Sequence, residues 1–285
     1  MSGKDRTGRG RPRRSRTGTD FSSTRPPKSP AAATSWDALA SWYDGWVGEG
    51  GSEHHQKVAI PEVMKLLQLR PGESVLDVGA GQGVLAPYVA RAGATYVGVD
   101  ASPRLAALAR KRHGKDGRFL VGDARDLEAV PDLFPDTFDA VVFLLSLQDM
   151  DPLEPALQSA ADMLKPGGRL VLLLTHPAFR IPRQSGWGFD EGRKLVYRRI
   201  DRYLTPLPVP MKPYPGQEGR TWSFHRPLQA YVNALSDAGL QVNRMEEVPA
   251  GAVLTGSGNR RADTHARKEI PLFLLLRAVK PAHGA

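Results

Sequence analysis

The 285-residue chain contains no cysteine. That excludes disulfides, Cys-ligated zinc, iron–sulfur clusters and a thiol nucleophile. Long apolar runs are missing as well. No uninterrupted stretch approaches the ~18–20 residues that cross a bilayer, and the longest, 141–147 and 170–174, read as buried strands. The first residues lack the apolar segment of a secretory signal. These absences predict a soluble, cytoplasmic protein with no membrane partner. No carboxylate–histidine spacing of a metal centre is present, so His54 and His55 read as ordinary helix residues and no metal is expected. No internal repeat is visible. What is present is 41% hydrophobic residues, enough for one sizeable domain with its own core.

The net charge of +9 is unevenly spread. Residues 1–30 hold nine Lys/Arg against Asp5 and Asp20. Residues 31–175 hold 13 basic and 19 acidic residues, whereas 176–226 hold 10 basic and 4 acidic. Residues 1–34 are rich in Arg, Gly, Ser, Thr and Pro, with Phe21 the one large apolar side chain after Met1. Such a segment buries too little surface to offset its ordering entropy and is expected to be a disordered basic tail. It would either solubilise the chain or contact nucleic acid.

From Ser35 the composition is that of a globular domain, 35–285. Trp36, Leu39, Ala40 and Tyr43 recur at helical spacing. A second helix is predicted over 53–69, ended by Pro71-Gly72. Short apolar runs then alternate with helical stretches: strands at 74–78, 95–100, 119–122, 138–145 and 170–175, helices at 84–92, 103–112 and 152–164. This alternation implies an α/β fold, a parallel sheet with helices on both faces. The pattern breaks at His176. Residues 176–226 carry seven prolines and little periodicity, which predicts a functional insert with some structure of its own. A helix over 227–238 and strands over 241–248 and 270–279 complete the reading.

The most informative stretch is Val75-Leu76-Asp77-Val78-Gly79-Ala80-Gly81-Gln82-Gly83. A strand runs into three alternate glycines and then a helix, which lets the backbone turn tightly and approach a ligand. Alone this is a weak signal, compatible with a dinucleotide site or a plain turn. Three details separate the readings. Val84 stands where the third glycine of a dinucleotide fingerprint would fall. Asp77 lies inside the strand, where a carboxylate repels a pyrophosphate but favours an ammonium or sulfonium. Asp100 ends the second strand, where an acid can accept from both ribose hydroxyls. A positively charged nucleoside without phosphates, S-adenosylmethionine, satisfies all three. Asp123, after the third strand, can likewise accept from the adenine amine.

VLDVGAGQG, YVGVDAS, VGDARDL, FDAVVFLLSL and LKPGGRLVLLL stand in this order and spacing. The sequence resembles class I S-adenosylmethionine-dependent methyltransferases of the small-molecule type 11 subfamily, over about residues 36–279. The resemblance implies a Rossmann-like doubly wound sheet of seven strands, mostly parallel, with one antiparallel strand, the last here. It makes 35–285 a methyltransferase domain with 176–226 as an inserted lid. It implies S-adenosyl-L-methionine contacts at Asp77, Gly79, Ala80, Gly81, Gly83, Asp100, Ala101, Asp123, Ala124 and Leu144, and carries Tyr43 over to the methionine end. Ala80 stands where many relatives have cysteine, a departure that a loop working through its backbone tolerates.

Methyl transfer from a sulfonium chiefly needs alignment, and a hydroxyl acceptor also benefits from a base. His176 directly follows the fifth strand and suits either proton removal or anchoring of its loop. The insert sets Trp187, Phe189, Tyr197, Tyr203, Tyr214, Trp222 and Phe224 among its basic residues. It could close as a lid over a flat or anionic acceptor, with Arg180, Trp187, Tyr197 and His225 as substrate contacts, or form a small subcore. The expected activity is methylation of a small molecule. An RNA- or ribosome-directed methyltransferase is the first alternative, prompted by the basic tail and the basic insert, although Leu145-Ser146-Leu147-Gln148 shows no Asn-Pro-Pro-Tyr signature. A non-catalytic S-adenosylmethionine-binding protein is the second.

Overall fold

The computed structural model describes residues 36–133, 137–211, 221–249 and 260–282. The basic tail predicted over 1–34 and Tyr214 lie outside the described residues.

The short apolar runs become strands. They are β1 (Ser74–Val78), β2 (Thr95–Asp100), β3 (Arg118–Val121), β4 (Phe138–Leu144) and β5 (Leu164–Thr175). With β10 (Gln241–Pro249) and β11 (Pro271–Val279) they form one seven-stranded sheet, order β10-β11-β5-β4-β1-β2-β3. The first five pair in parallel. β11 runs antiparallel to both β5 and β10, the single reversed strand. This is the mostly parallel, doubly wound α/β fold that the motifs implied. The strand order reverses between β1 and β4, and ligands bind outside the carboxyl ends at such a switch point.

Two apolar layers cover the two faces of the sheet. One contains α5 (Leu153–Asp162) and α6 (Leu228–Asp237), packed with Leu76, Phe143, Leu172 and Leu274. The other contains α2 (Ile60–Leu67) and α3 (Ala86–Arg91), packed with Val75, Val142, Leu173 and Leu275. α4 (Pro103–His113) adds Ala109 to this second layer. Ser102 caps α4 by accepting from Leu105 N–H. α2 is preceded by a π-helical turn, His55–Ala59, which joins it to the predicted helix. The Pro61 ring clashes with the carbonyl four residues back in a straight helix, and a wider turn relieves the clash.

The insert is two hairpins. β6 (Ser185–Asp190) pairs with β7 (Leu195–Ile200), and β8 (Leu207–Pro210) pairs with β9 (Trp222–His225). α7 (Arg260–Glu269) packs against β7 through Ala262 and Ala266. Before the sheet, α1 (Ala40–Val47) carries Tyr43. Among the described residues no helix is long and apolar enough to cross a membrane.

Candidate active site

The glycine loop leaves β1 with Gly79, Gly81 and Gly83 all at positive φ (75°, 56° and 80°). They lack a side chain for two different reasons. A Cβ on Gly79 would lie 2.5 Å from Ser146 Cβ, and one on Gly83 would lie 2.6 Å from the Phe119 ring. A Cβ on Gly81 would meet only the Tyr43 ring, at 3.7 Å. So the first and third glycines serve packing, and the middle one opens a space roofed by Tyr43.

Asp100 ends β2 beside this loop. Its Oδ2 accepts from Gly81 N–H at 2.7 Å and its Oδ1 from Ser102 N–H at 2.8 Å. Burial raises its carboxyl pKa, and the two amides oppose the rise. Asp77 lies fully inside the sheet. Its Oδ2 accepts from Tyr96 Oη at 2.7 Å, and its Oδ1 is buried with no partner. Burial pushes Asp77 up to about 7. Ala80 donates its N–H to Val99 O, and Ala101 lies exposed between Asp100 and Ser102. Ala124 and Leu144 are buried walls.

Asp123 is held differently from a free acceptor. Arg125 Nη2 donates to its Oδ2 at 2.5 Å, and Arg125 N–H to its Oδ1 at 3.0 Å. Burial pushes the Asp123 carboxyl up, but the hydrogen bonds and charge of Arg125 together hold it below the usual range.

The roof over the loop is tied down from several sides. Ser102 Oγ donates to Asp37 Oδ1 at 2.7 Å, Arg112 Nη2 donates to Asp44 Oδ2 at 2.8 Å, and the Gln82 amide donates to Gly48 O. These contacts hold α1 so that Tyr43 covers Gly81, with Trp36 set edge-on to Tyr43 at 5.0 Å. Burial first, then the charges of Asp100, Asp149 and Asp77, push the Tyr43 hydroxyl above its ordinary value.

Asp149 closes the other side and was not anticipated. It ends a 3-10 turn, Leu147–Asp149, just beyond β4. The side chains of Ser223 in β9 and Trp36 hydrogen-bond to it, while burial pushes it up to about 7. Its one signal in the sequence is position, directly after Leu145-Ser146-Leu147-Gln148 at the end of the fourth strand. Arg226 joins the same turn, donating to Met150 O and Asp151 Oδ1 at 2.8 and 2.7 Å.

His176 has both ring nitrogens engaged by the protein. Nδ1 accepts from Ala178 N–H at 3.2 Å and Nε2 meets Glu247 Oε1 at 2.8 Å. Of the two roles expected for His176, these contacts describe the loop anchor. Burial lowers its pKa, the Glu247 contact opposes this, and Arg180 adds to the lowering. His225 Nε2 is likewise spent on Tyr203 O at 2.6 Å. Arg180 and Trp187 come together, with 5.2 Å from guanidinium carbon to ring centre. Tyr197 packs over Gly188 on the hairpin and is largely exposed, away from the glycine loop in every contact described. Among the described residues no cluster of three or more His, Asp or Glu could hold a metal.

Sheet order, glycine loop and paired acids define a Rossmann-like nucleoside-binding class. Comparison with known proteins narrows it. The type 11 methyltransferase family model, described as a methyltransferase domain, matches residues 76–172. A demethylmenaquinone methyltransferase from Tropheryma whipplei (strain Twist) is 41% identical over 119 residues, 40% of this chain and 46% of that protein. The chain thus spans about half the length of the first curated relatives it matches. Another demethylmenaquinone methyltransferase, from Paenarthrobacter aurescens (strain TC1), is 26% identical across 89% of this chain and 94% of its own. The crystal structure of a putative S-adenosylmethionine-dependent methyltransferase from Listeria monocytogenes superposes with a TM-score of 0.63 at 25% identity, over 80% of this chain and 99% of that one. Over residues 76–172 the chain is thus similar to the methyltransferase-domain family, and over most of its length it shares the fold of an S-adenosylmethionine-dependent methyltransferase of known structure. The residues fit that family's cofactor: the space beside Gly81 is free of a side chain, Asp100 retains lone pairs beyond its two amides, and the buried Asp77 Oδ1 has no partner.

Proposed function

We propose that this chain transfers a methyl group from S-adenosylmethionine to a small-molecule acceptor seated between the glycine loop and the 176–226 insert. The observation that carries this reading is the Gly81–Asp100 corner roofed by Tyr43. An acid and an open glycine face stand together there beneath an aromatic ring. When bound, the cofactor supplies a methyl already activated on a sulfonium. The chain's own residues then hold and screen it. Asp100 takes the ribose hydroxyls. Gly79, Gly81 and Gly83, with Ala80 and Ala101 beside them, shape the loop. Ala124 and Leu144 wall the crevice, and Asp123 reaches the base edge by reorienting from Arg125. Asp77 contributes negative charge beneath the sulfonium end. Tyr43 and Trp36 exclude water. Asp149, part-exposed between α1 and β9, is suited by its raised pKa to receive a proton from a hydroxyl acceptor, while His176 fixes the turn that follows β5. Two relatives named for demethylmenaquinone support a small acceptor.

Labelled methyl transfer into a metabolite extract and an RNA pool tests the reading. Label is expected in a low-mass product and lost in Asp100→Ala. Label confined to RNA would replace the acceptor class. No transfer with intact cofactor binding would leave a binding protein without catalysis.

A further inference from the structure

Among the described residues, two arginines of the insert lack a counter-charge. Arg180 closes the turn after His176, with its N–H donated to His176 O, and Arg198 lies in β7. Both stand against one ring, with guanidinium carbons 5.2 and 5.1 Å from the centre of Trp187. Arg198 is pinned: Nε donates to Phe179 O at 2.6 Å and Nη2 to Ser185 Oγ at 2.8 Å. Arg180 is not, and its buried Nε donates to nothing. Neither forms an ion pair with any described acid, and Glu247, which reaches this loop, is committed to His176.

Like charges held this close repel, and half-burial removes the water that would screen them. Burial first, then Arg198, press Arg180 down to about 10. A guanidinium is the side chain most often used to grip a planar oxyanion, through its fork of N–H donors. The aromatic plane of Trp187 holds both forks in orientation. In the free protein the pair is frustrated, and a bound anion would neutralise it and satisfy the idle donors.

We infer that Arg180, Arg198 and Trp187 form the seat of an anionic oxygen group, carboxylate or phosphate, on the methyl acceptor. This rests on the cofactor reading above. β5, which feeds the Arg180 turn, is two strands from β1 in the sheet order. That sets the turn about 10 Å to the side of the glycine loop. The separation leaves the reacting part of a small acceptor at the loop and its anionic end on the arginines.

Calorimetric titration with benzoate, phenyl phosphate and uncharged benzamide tests the seat, with S-adenosylhomocysteine saturating and again without it. Wild type should bind at least one anion, and benzamide about tenfold more weakly or worse. R180Q and R198Q should each lose about tenfold in anion affinity while keeping S-adenosylhomocysteine affinity, which also reports that they fold. The stronger anion identifies the group. Equal binding of benzamide, undiminished anion affinity in both variants, or no anion binding at millimolar concentration would overturn the seat. So would anion binding that S-adenosylhomocysteine abolishes, since the arginines would then serve the cofactor's own carboxylate. Wild type failing to bind S-adenosylhomocysteine while still binding the anions would sink the cofactor reading and leave the seat standing.

Discussion

Among the loop residues, the three glycines divide into structural and ligand-facing positions, and substitution should separate them. Gly83→Ala combines a left-handed backbone with a Cβ 2.6 Å from Phe119, so a loss of roughly 2–4 kcal/mol in denaturant unfolding is expected. Gly81→Ala meets only Tyr43 at 3.7 Å. Its cost in stability should be about 1–2 kcal/mol, with the larger effect a fall in S-adenosylhomocysteine affinity. Asp77 supplies a pH signature. Its folded pKa, about 7, lies above the ordinary carboxyl value of 3.8. The folded state therefore holds the proton more tightly, and this group's contribution declines as pH rises from about 4 to 7. Asp77→Asn keeps an acceptor for Tyr96 but cannot ionise. The stability of the variant relative to wild type should rise across that interval and level off above it, read by melting temperature at matched ionic strength. A flat difference would remove the buried charge from the account.

At the scale of elements, the crevice is closed by pieces distant in sequence. α1 is held to α4 and the glycine loop by Asp37, Asp44 and Gly48, and β9 reaches the turn after β4 through Ser223. Asp149 is the point where Trp36 and Ser223 meet. Removing both donors in a Trp36→Phe, Ser223→Ala double variant should raise the Asp149 pKa further above about 7. The extra destabilisation should then be greatest above pH 8 and shrink toward pH 4, where the folded carboxyl is neutral in both wild type and variant. A pH-independent loss would mean that packing, not the carboxylate, is what changed. α7 shows why one element escaped the sequence pattern. Its buried apolar side chains are Ala262 and Ala266, one helical turn apart, so no large apolar stripe marks it. Small residues are what allow its close approach to Val196. β5 begins at Leu164 rather than 170, because Lys165-Pro166-Gly167-Gly168 reads as a turn whereas the Gly167 and Gly168 backbones bond to Lys280. The β6–β7 hairpin of the insert lacks alternation because β6 is half-buried on both faces and β7 is mostly exposed, with Val196 its one buried residue.

For the whole molecule, charge and fold are separable. Nine basic residues against two acids lie in the first 30 positions, while among the described residues the contacts that close the crevice begin at Trp36 and Asp37. A chain lacking residues 1–34 should keep its S-adenosylhomocysteine affinity and melting temperature. Its retention on polyanions should fall and become less steeply salt-dependent. A drop in cofactor affinity on truncation would show that the basic segment takes part in the site.

The sequence by itself determined the sheet, its glycine loop and the acids at the strand ends. Those features rest on local periodicity and on residue types whose backbone or charge is needed at one spacing, as in Val75–Gly83 and Asp100. The tertiary structure alone decided which polar groups remain available. His176 is spent on Glu247 and Ala178, Asp123 is drawn to Arg125, and Asp149 is gathered between Trp36 and Ser223. Those partners are up to 113 residues apart in the chain (Trp36 and Asp149), and only the closing of the sheet against α1 and the insert brings them within hydrogen-bond reach.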